Sequence, residues 1–464
     1  MRRAFARLGA LVVALLLLGP TVGGLPTGPG LLTPALAQNA TIDQDIRSPD
    51  LAVAYPAIAR RTAEIRGLAP RREVPRIMQT PDEFRARMVD DLNDPDSLKE
   101  IENSRKLMVA LGLLAPDVDL YALELQFRTG IVLGQYDPDT KELYVITNAT
   151  TPGLVERVTL AHEFTHALQD QYYDIRRLMP KHSDNSDRDL AVSGLLEGDA
   201  LIMEELFESA VFTTQERAEK RREEQALGSG LDLDKVPLVI REETYFPYTE
   251  GPRFIVAVAG QDAMRAALQS GTGYGPLVNR IFDNPPRSTA QIIHPDKYLR
   301  GIDPVAVPLP DLAAALGEGW EQLRKDVLGE IDHRILIQQF VSRDLGDRAS
   351  SGWAGDAFAL LGKGDEAAVV LASQWDSAAN ASDWFNAYTQ LMQARYGSRL
   401  QVVEQRPDRV VWRTPDGLQA LRLNGNGTTL LIAQTADEIA RLDQAMTSGA
   451  TPAALSLDPL ARLP

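Results

Sequence analysis

The segment HEFTH at residues 162–166 constrains the fold of this chain more than any other. On a helix it places two imidazoles four residues apart, and residues i and i+4 are neighbours on one helix face. His162 and His166 could then both bind one Zn²⁺ ion at about 2.0–2.1 Å, with Glu163 beside the water molecule that it would deprotonate. The flanking residues carry no charge, proline or glycine, which is typical of a buried helix.

A catalytic zinc ion takes three protein ligands and keeps a fourth position for water. Glu197 is the favoured third ligand, because it interrupts an apolar helical segment in which an unpaired carboxylate would be expensive to bury. Glu204 and His182 are the alternatives. Asp199 faces away from Glu197 on a helix, which favours a supporting hydrogen bond behind the ligands rather than a ligand role.

The first 37 residues predict a secretory signal peptide. Arg2, Arg3 and Arg7 precede an apolar run over residues 8–18, and Ala-Leu-Ala at 35–37 offers a cleavage site. The apolar run is shorter than the roughly 20 residues of a spanning helix. We therefore expect export to the periplasm or the extracellular space, with no membrane span in the mature chain. A retained N-terminal membrane anchor is the alternative.

Composition excludes several classes of protein. The absence of cysteine excludes disulfide bridges and thiol catalysis. A formal net charge of −16 disfavours nucleic acid as a partner, because its recognition needs clustered Lys and Arg. At 464 residues the chain exceeds the usual size of a single hydrophobic core. We expect two domains after the signal peptide, at residues 38–304 and 305–464.

Residue patterns around the histidine segment predict its neighbours. β-Branched and aromatic runs at 130–136 and 142–147, joined by Asp-Pro-Asp-Thr, predict a β-hairpin. A strand beside a zinc site can pair with an extended peptide, and an ordinary hairpin of the core sheet is an equal alternative. Thr151 and Pro152 are predicted to open the histidine helix. The charged run at 215–225 predicts an exposed helix or a mobile insertion.

The second domain is predicted to be a small α+β unit. It is expected to begin with a helix over residues 311–328, followed by four short strands and two helices: strands at 367–373, 400–404, 409–413 and 428–434, helices at 379–396 and 436–446. No histidine follows His333, so we assign this domain no chemistry. Its tryptophans are predicted to pack in the core: Trp353, Trp375, Trp384 and Trp412.

Three motifs together resemble a group of exported bacterial metallopeptidases of the gluzincin type. They are HEFTHALQDQ at 162–171, LLEGDA at 195–200 and NPPRSTAQIIHPDKYL at 284–299. The resemblance implies an α+β fold: a zincin-like catalytic domain with a helical apron, a β-hairpin or sheet and the HExxH helix, then the smaller α+β domain. It also implies one Zn²⁺ per chain, with Glu163 as general base and three ligands, His162, His166 and Glu197.

The expected function is an exported zinc peptidase that hydrolyses peptide bonds by Glu163-assisted attack of zinc-bound water. Its partner would be a peptide or protein substrate. Hydrolysis forms an oxyanion that needs a further hydrogen-bond donor, and the candidates are His294, Tyr298 and Tyr248. Two alternatives are an exported metal-retaining scaffold without peptidase activity and a zinc hydrolase of a non-peptide amide or ester. The sequence indicates neither the substrate-binding residues nor the oligomeric state.

Overall fold

The computed structural model describes residues 40–130, 132–149, 151–181, 183–227, 236–270 and 273–448. The predicted signal peptide and the alternative ligand His182 lie outside the described residues. The fold is a mixture of helices and strands, as predicted. Contacts divide it into two compact units. The first contains the described residues up to Val305 together with Val327–Ala354, and the second contains Ala306–Asp326 and the described residues from Gly355 onward.

The first unit is mainly helical, and helices also accompany the sheet of the second. In chain order the helices are α1 (Ala40–Ile46), α2 (Leu51–Arg66), α3 (Pro81–Leu92), α4 (Pro95–Leu111), α5 (Leu120–Arg128), α6 (Leu154–Tyr173), α7 (Ile175–Leu178), α8 (Ser186–Val211), α9 (Thr214–Leu227), α10 (Leu238–Ala259), α11 (Gln261–Ser270), α12 (Tyr274–Asp283), α13 (Thr289–Ile293), α14 (Pro295–Leu299), α15 (Leu312–Leu316), α16 (Gly329–Phe340), α17 (Arg343–Ser350), α18 (Ala378–Tyr396) and α19 (Ala436–Ser448). No helix in the described ranges combines the length and apolar character needed to cross a bilayer.

The first unit holds a three-stranded sheet next to the histidine helix. Its strands are β1 (Arg76–Gln79), β2 (Gly134–Asp137) and β3 (Glu142–Ile146), in the order β1-β3-β2. β2 and β3 are antiparallel, with Gln135 opposite Tyr144, so the predicted hairpin is confirmed. β1 pairs with β3 in parallel and is a strand that the sequence patterns did not predict. β2 therefore lies at one edge of this sheet.

The second unit is built on a seven-stranded sheet with the order β4-β5-β6-β10-β9-β8-β7. Its strands are β4 (Glu321–Asp326), β5 (Trp353–Lys363), β6 (Glu366–Trp375), β7 (Gln401–Arg406), β8 (Arg409–Thr414), β9 (Gly417–Asn424) and β10 (Gly427–Ala433). The four predicted strands are confirmed as β6, β7, β8 and β10, and the two predicted helices as α18 and α19. β5 and β9 were not predicted.

The predicted helix over residues 311–328 is wrong. Only Leu312–Leu316 is helical, and Glu321–Asp326 forms β4 instead. Gly317 and Gly319 have φ values of 98° and 86°, which a helix does not accommodate. Beyond them, antiparallel pairing with β5 outweighs the helical preference of the sequence EQLRKD.

The start of α6 also differs from the prediction. The helix begins at Leu154 and its N-cap is Gly153, so Thr151 does not cap it. The free N–H groups of the first turn are satisfied by glutamates instead. Oε2 of Glu223 on α9 accepts hydrogen bonds from the N–H groups of Leu154 and Val155, at 2.9 and 3.1 Å. α9 has no buried residue, which confirms the prediction of an exposed helix at this charged run.

Three of the predicted tryptophans pack against one another in the second unit. Trp375, Trp384, Tyr388 and Trp412 form a chain of ring contacts, with centroids 5.5, 5.2 and 6.3 Å apart in that order. All four rings are buried, and so is Trp353. The prediction that the tryptophans are core residues is therefore confirmed.

Candidate metal centre

The two histidines of the HEFTH segment meet on the buried face of α6. Both side chains are fully buried, and their Nε2 atoms lie 3.0 Å apart. α6 can hold them there because almost every residue from Val155 to Gln171 is buried, so the helix packs on several sides. Its flanks are apolar for this reason, as the sequence indicates. The i, i+4 spacing thus brings both rings to one point.

Glu197 completes a group of three ligand atoms. It lies on α8, and its Oε2 is 3.2 Å from Nε2 of His162 and 3.6 Å from Nε2 of His166. A point equidistant from these three atoms is about 1.9 Å from each, close to the length of zinc bonds to nitrogen and oxygen. Within the described residues this is a group that could hold a metal ion.

The outer ring nitrogens show which atoms are free to bind a cation. Nδ1 of His166 is 2.8 Å from Oε1 of Gln169, and Nδ1 of His162 is 2.6 Å from Oε1 of Glu204. Nδ1 of His166 carries the ring proton because it faces the amide oxygen of Gln169, so the lone pair of its Nε2 points at the common centre. Nδ1 of His162 lies near Glu204 without an aligned hydrogen bond, and its Nε2 faces the same centre. A cation among the two Nε2 atoms and the carboxylate oxygen of Glu197 would stabilise this buried group.

The pKa values of His162 and Glu197 also indicate that positive charge is favoured at this centre. Burial alone lowers the pKa of His162, but the facing carboxylates of Glu197 and Glu204 outweigh it and raise that pKa well above its ordinary value. Burial also opposes the charge on Glu197, yet the neighbouring imidazoles hold its pKa at about 2. A proton on His162 and a metal ion would therefore compete for the same centre.

Glu163 lies beside the three ligand atoms with one oxygen unused. Its Oε2 accepts a hydrogen bond from the backbone N–H of Tyr136 on β2, at 2.7 Å. Its Oε1 is buried and has no hydrogen-bond partner in the described chain. Burial raises the pKa of Glu163, and the charges of the two imidazoles act in the opposite direction. A buried carboxylate with a free oxygen is suited to accept a proton.

Two features hold β2 against this face of α6. A Cβ at Gly134 would lie 3.0 Å from Cγ of Glu163, a tight contact that would press on this side chain. The hydroxyl of Tyr136 donates to Oδ2 of Asp170, at 2.7 Å, and Asp170 lies about two helical turns after Glu163. Tyr136 is thus bound to α6 through both its backbone and its side chain. Arg72 and Lys141 form salt bridges with the same carboxylate of Asp170.

α8 and α10 approach so closely that their backbones touch. A Cβ added at Gly198 would lie 2.5 Å from the carbonyl carbon of Gly251. Gly198 follows the ligand Glu197, and Gly251 lies between two prolines within α10, Pro247 and Pro252. The contact sets Tyr248, one turn before Gly251, against the ligands.

The structure brings only one of the three predicted oxyanion donors to the centre. Tyr248 is buried and hydrogen-bonds Glu197. Burial, together with the charges of Glu197 and Glu163, raises the pKa of its phenol well above the ordinary value. His294 instead pairs with Oε1 of Glu330 at 2.7 Å, which raises the pKa of His294. The hydroxyl of Tyr298 donates to the backbone oxygen of Asn284 at 2.7 Å.

The supporting contacts behind the ligands include residues that sequence reasoning missed. Asp199 is linked to His166 through Gln169, whose Nε2 donates to Oδ2 of Asp199 at 2.9 Å. Arg66 on α2 and Tyr274 on α12 also bind Asp199, at 3.0 and 2.7 Å. Glu204, an alternative ligand in the sequence, contacts the outer nitrogen of His162. The i, i+3 spacing of Gln169 from His166 could have identified it, whereas Arg66 carries no local signal.

Comparison with known proteins adds information on most of the second unit and on Val327–Ala354 of the first. Residues 318–446 are similar to a family described as a domain of unknown function, DUF8575. This range includes the strands of the seven-stranded sheet and none of the metal-centre residues. No curated protein and no solved structure matches the chain. The metal centre is therefore characterised by its geometry.

Proposed function

We propose that this chain is an exported zinc-dependent peptidase of the gluzincin type, with a zincin-like first unit. The observation that carries the proposal is the free, buried Oε1 of Glu163 beside three converging ligand atoms. A site that only retained a metal ion would have no use for an unpaired carboxylate oxygen at that place. Two imidazoles and one carboxylate form the ligand set of known catalytic zinc sites.

The residues of the site have separate roles in the proposed hydrolysis. His162, His166 and Glu197 would hold the ion, which when bound supplies Lewis-acid activation of a water molecule and of the substrate carbonyl. Oε1 of Glu163 takes one proton from the attacking water and returns it to the nitrogen of the leaving amine, as the carbon–nitrogen bond breaks. The phenol of Tyr248 would exchange its hydrogen bond with Glu197 for one to the oxyanion that forms on the former carbonyl oxygen.

The neighbouring sheet edge fits a peptide or protein substrate. β2 lies at the edge of its sheet, and Tyr136 of that strand donates its N–H to Glu163. An extended peptide that lies along the strand would bring its carbonyl groups close to Glu163. The signal peptide expected in residues 1–37 would deliver the chain to the periplasm or the extracellular space, or would anchor it to the membrane.

Burial of the centre favours a second candidate, an exported scaffold that retains a metal ion without peptidase activity. Glu163 and His166 are 0% exposed, His162 and Glu197 1%, and Tyr248 4%. Structural metal sites are closed, whereas catalytic sites keep an accessible position. As a peptidase, the chain must open this centre to admit a substrate. A hydrolase of non-peptide amides or esters would use the same residues in the same roles.

Cleavage of an unfolded protein separates these candidates. We expect the purified mature chain with added zinc to cleave casein, and a chelator to abolish the cleavage. Glu163→Gln should retain the bound metal and lose hydrolysis, by at least about 100-fold, because the general base is removed. A chain that binds zinc but cleaves neither casein nor a peptide library would favour the scaffold. Activity retained in Glu163→Gln would disprove the role of Glu163.

A further inference from the structure

We infer that Gln169 is a positioning residue that orients two of the three ligands, His166 and Glu197. The inference rests on the metal-dependent function proposed above. Gln169 lies on α6 three residues after His166 and is fully buried. Its amide makes three hydrogen bonds. One is with the ring of the ligand His166, and the other two are with Leu196 and Asp199, which lie on either side of the ligand Glu197 in the chain.

The orientation of the amide is fixed by its surroundings. Nε2 of Gln169 faces two acceptors, the backbone oxygen of Leu196 at 3.0 Å and Oδ2 of Asp199 at 2.9 Å. Only the NH₂ end of an amide can donate to both, so Oε1 must face Nδ1 of His166. Nδ1 of His166 therefore carries the proton, and the lone pair of Nε2 is left for the metal ion.

Asp199 keeps this orientation because it is itself held as an acceptor. Nε of Arg66 donates to Oδ2 at 3.0 Å, and the hydroxyl of Tyr274 donates to Oδ1 at 2.7 Å. The side chains of Arg66 and Asp199 are both 0% exposed and form an ion pair. Both oxygens of Asp199 therefore accept hydrogen bonds, and the amide of Gln169 cannot reverse.

The same amide also holds the segment that carries Glu197. Leu196 precedes this ligand, and Asp199 follows it by two residues. By binding both, Gln169 ties α8 to α6 at the point where the ligands converge. His162 contacts α8 by a different route, because its outer nitrogen lies 2.6 Å from Oε1 of Glu204, one residue of α8. One side chain thus fixes both the ring of His166 and the position of Glu197.

A matched pair of substitutions on α6 tests the inference. Gln169→Met keeps the volume and removes the three hydrogen bonds. Gln171→Met is the control, since Gln171 is also buried and binds backbone groups of Arg71 and Arg72 through its amide, remote from the ligands. Zinc affinity is measured by competition with a chromophoric chelator, and the ligand geometry by the visible absorption of the Co²⁺ form. Circular dichroism verifies folding.

We expect Gln169→Met to weaken zinc binding about 10–100-fold and to change the Co²⁺ spectrum. Gln171→Met should lose stability but bind zinc within about threefold of the parent. Gln169→Asn, whose shorter amide cannot reach both helices, should also weaken binding. Parent-like affinity in folded Gln169→Met or Gln169→Asn would overturn the inference. So would loss of folding in both, which would make Gln169 a core residue. A parent chain that binds no zinc would refute the proposed function instead.

Discussion

At the scale of single residues, the centre is defined by the side-chain atoms that face inward and are left available to a metal ion or a water molecule. Nδ1 of each ligand histidine faces an acceptor, and Oε2 of Glu163 accepts from Tyr136. What remains free is a set of inward atoms: two Nε2 lone pairs, one oxygen of Glu197 and Oε1 of Glu163. The convergence of these inward atoms supports a cation site with an adjacent base.

Tyr248 is the residue on which the oxyanion assignment depends. Because burial and the carboxylates raise the pKa of its phenol, it stays protonated at all working pH values and can donate. We expect Tyr248→Phe to lower kcat about 100- to 1,000-fold and to keep the bound metal. Tyr298→Phe is the control, since that hydroxyl binds Asn284. Equal kcat values for the two variants would remove Tyr248 from the mechanism.

At the scale of elements, the centre depends on helices that approach one another without side chains between them. Gly198 on α8 and Gly251 on α10 bring the two backbones into contact, and Gly134 brings the backbone of β2 against side chains of α6. Each glycine is next to a functional group: Glu197, Tyr248 and Glu163. The small residues therefore set the distances between elements, and these distances set the site.

Two glycines on one face of α8 give a matched test of this contact. In Gly198→Ala the new Cβ would lie 2.5 Å from backbone of Gly251, whereas in Gly194→Ala its nearest neighbour would be 3.7 Å away, an ordinary contact. We expect Gly198→Ala to lower the free energy of unfolding by about 1–3 kcal/mol and to weaken metal binding. Gly194→Ala should be neutral or stabilising by up to about 1 kcal/mol. Urea unfolding of both variants measures the difference, and equal effects would contradict the close contact.

The sequence predicts the local part of this centre and not the part that depends on packing. The i, i+4 spacing of His162 and His166 is a property of any helix, and Glu197 stands out as a charge in an apolar segment. Ranking His294, Tyr298 and Tyr248 needs tertiary distances that no spacing contains. The i, i+3 spacing places Gln169 near His166, but the end of its amide that meets α8 depends on packing that no spacing contains.

The elements show the same limit. Hairpin β2–β3 follows from alternating residues and a turn. β1 joins the same sheet from 67 positions earlier in the chain, with Ile77 opposite Tyr144, and tertiary packing sets this register. The segment EQLRKD was predicted as helix from its composition, but its neighbour β5 makes it a strand. Local preference decides an element only where tertiary pairing does not oppose it.

At the scale of the whole molecule, the proposed chemistry belongs to the first unit. Every residue assigned to metal binding, proton transfer or oxyanion binding lies between Arg66 and Tyr274. The second unit has its own sheet and its own aromatic core, and the range similar to a domain of unknown function contains none of the residues assigned to that chemistry. The proposed function therefore depends on the metal centre of the first unit.

Zinc content per folded chain, measured by elemental analysis after dialysis, tests the central claim most directly. We predict one zinc ion per parent chain and almost none in Glu197→Ala, because the third ligand is lost. Glu204→Gln is the control and should retain one ion, since Glu204 contacts the outer nitrogen of His162. A parent chain without zinc, or full occupancy in Glu197→Ala, would contradict a centre formed by His162, His166 and Glu197.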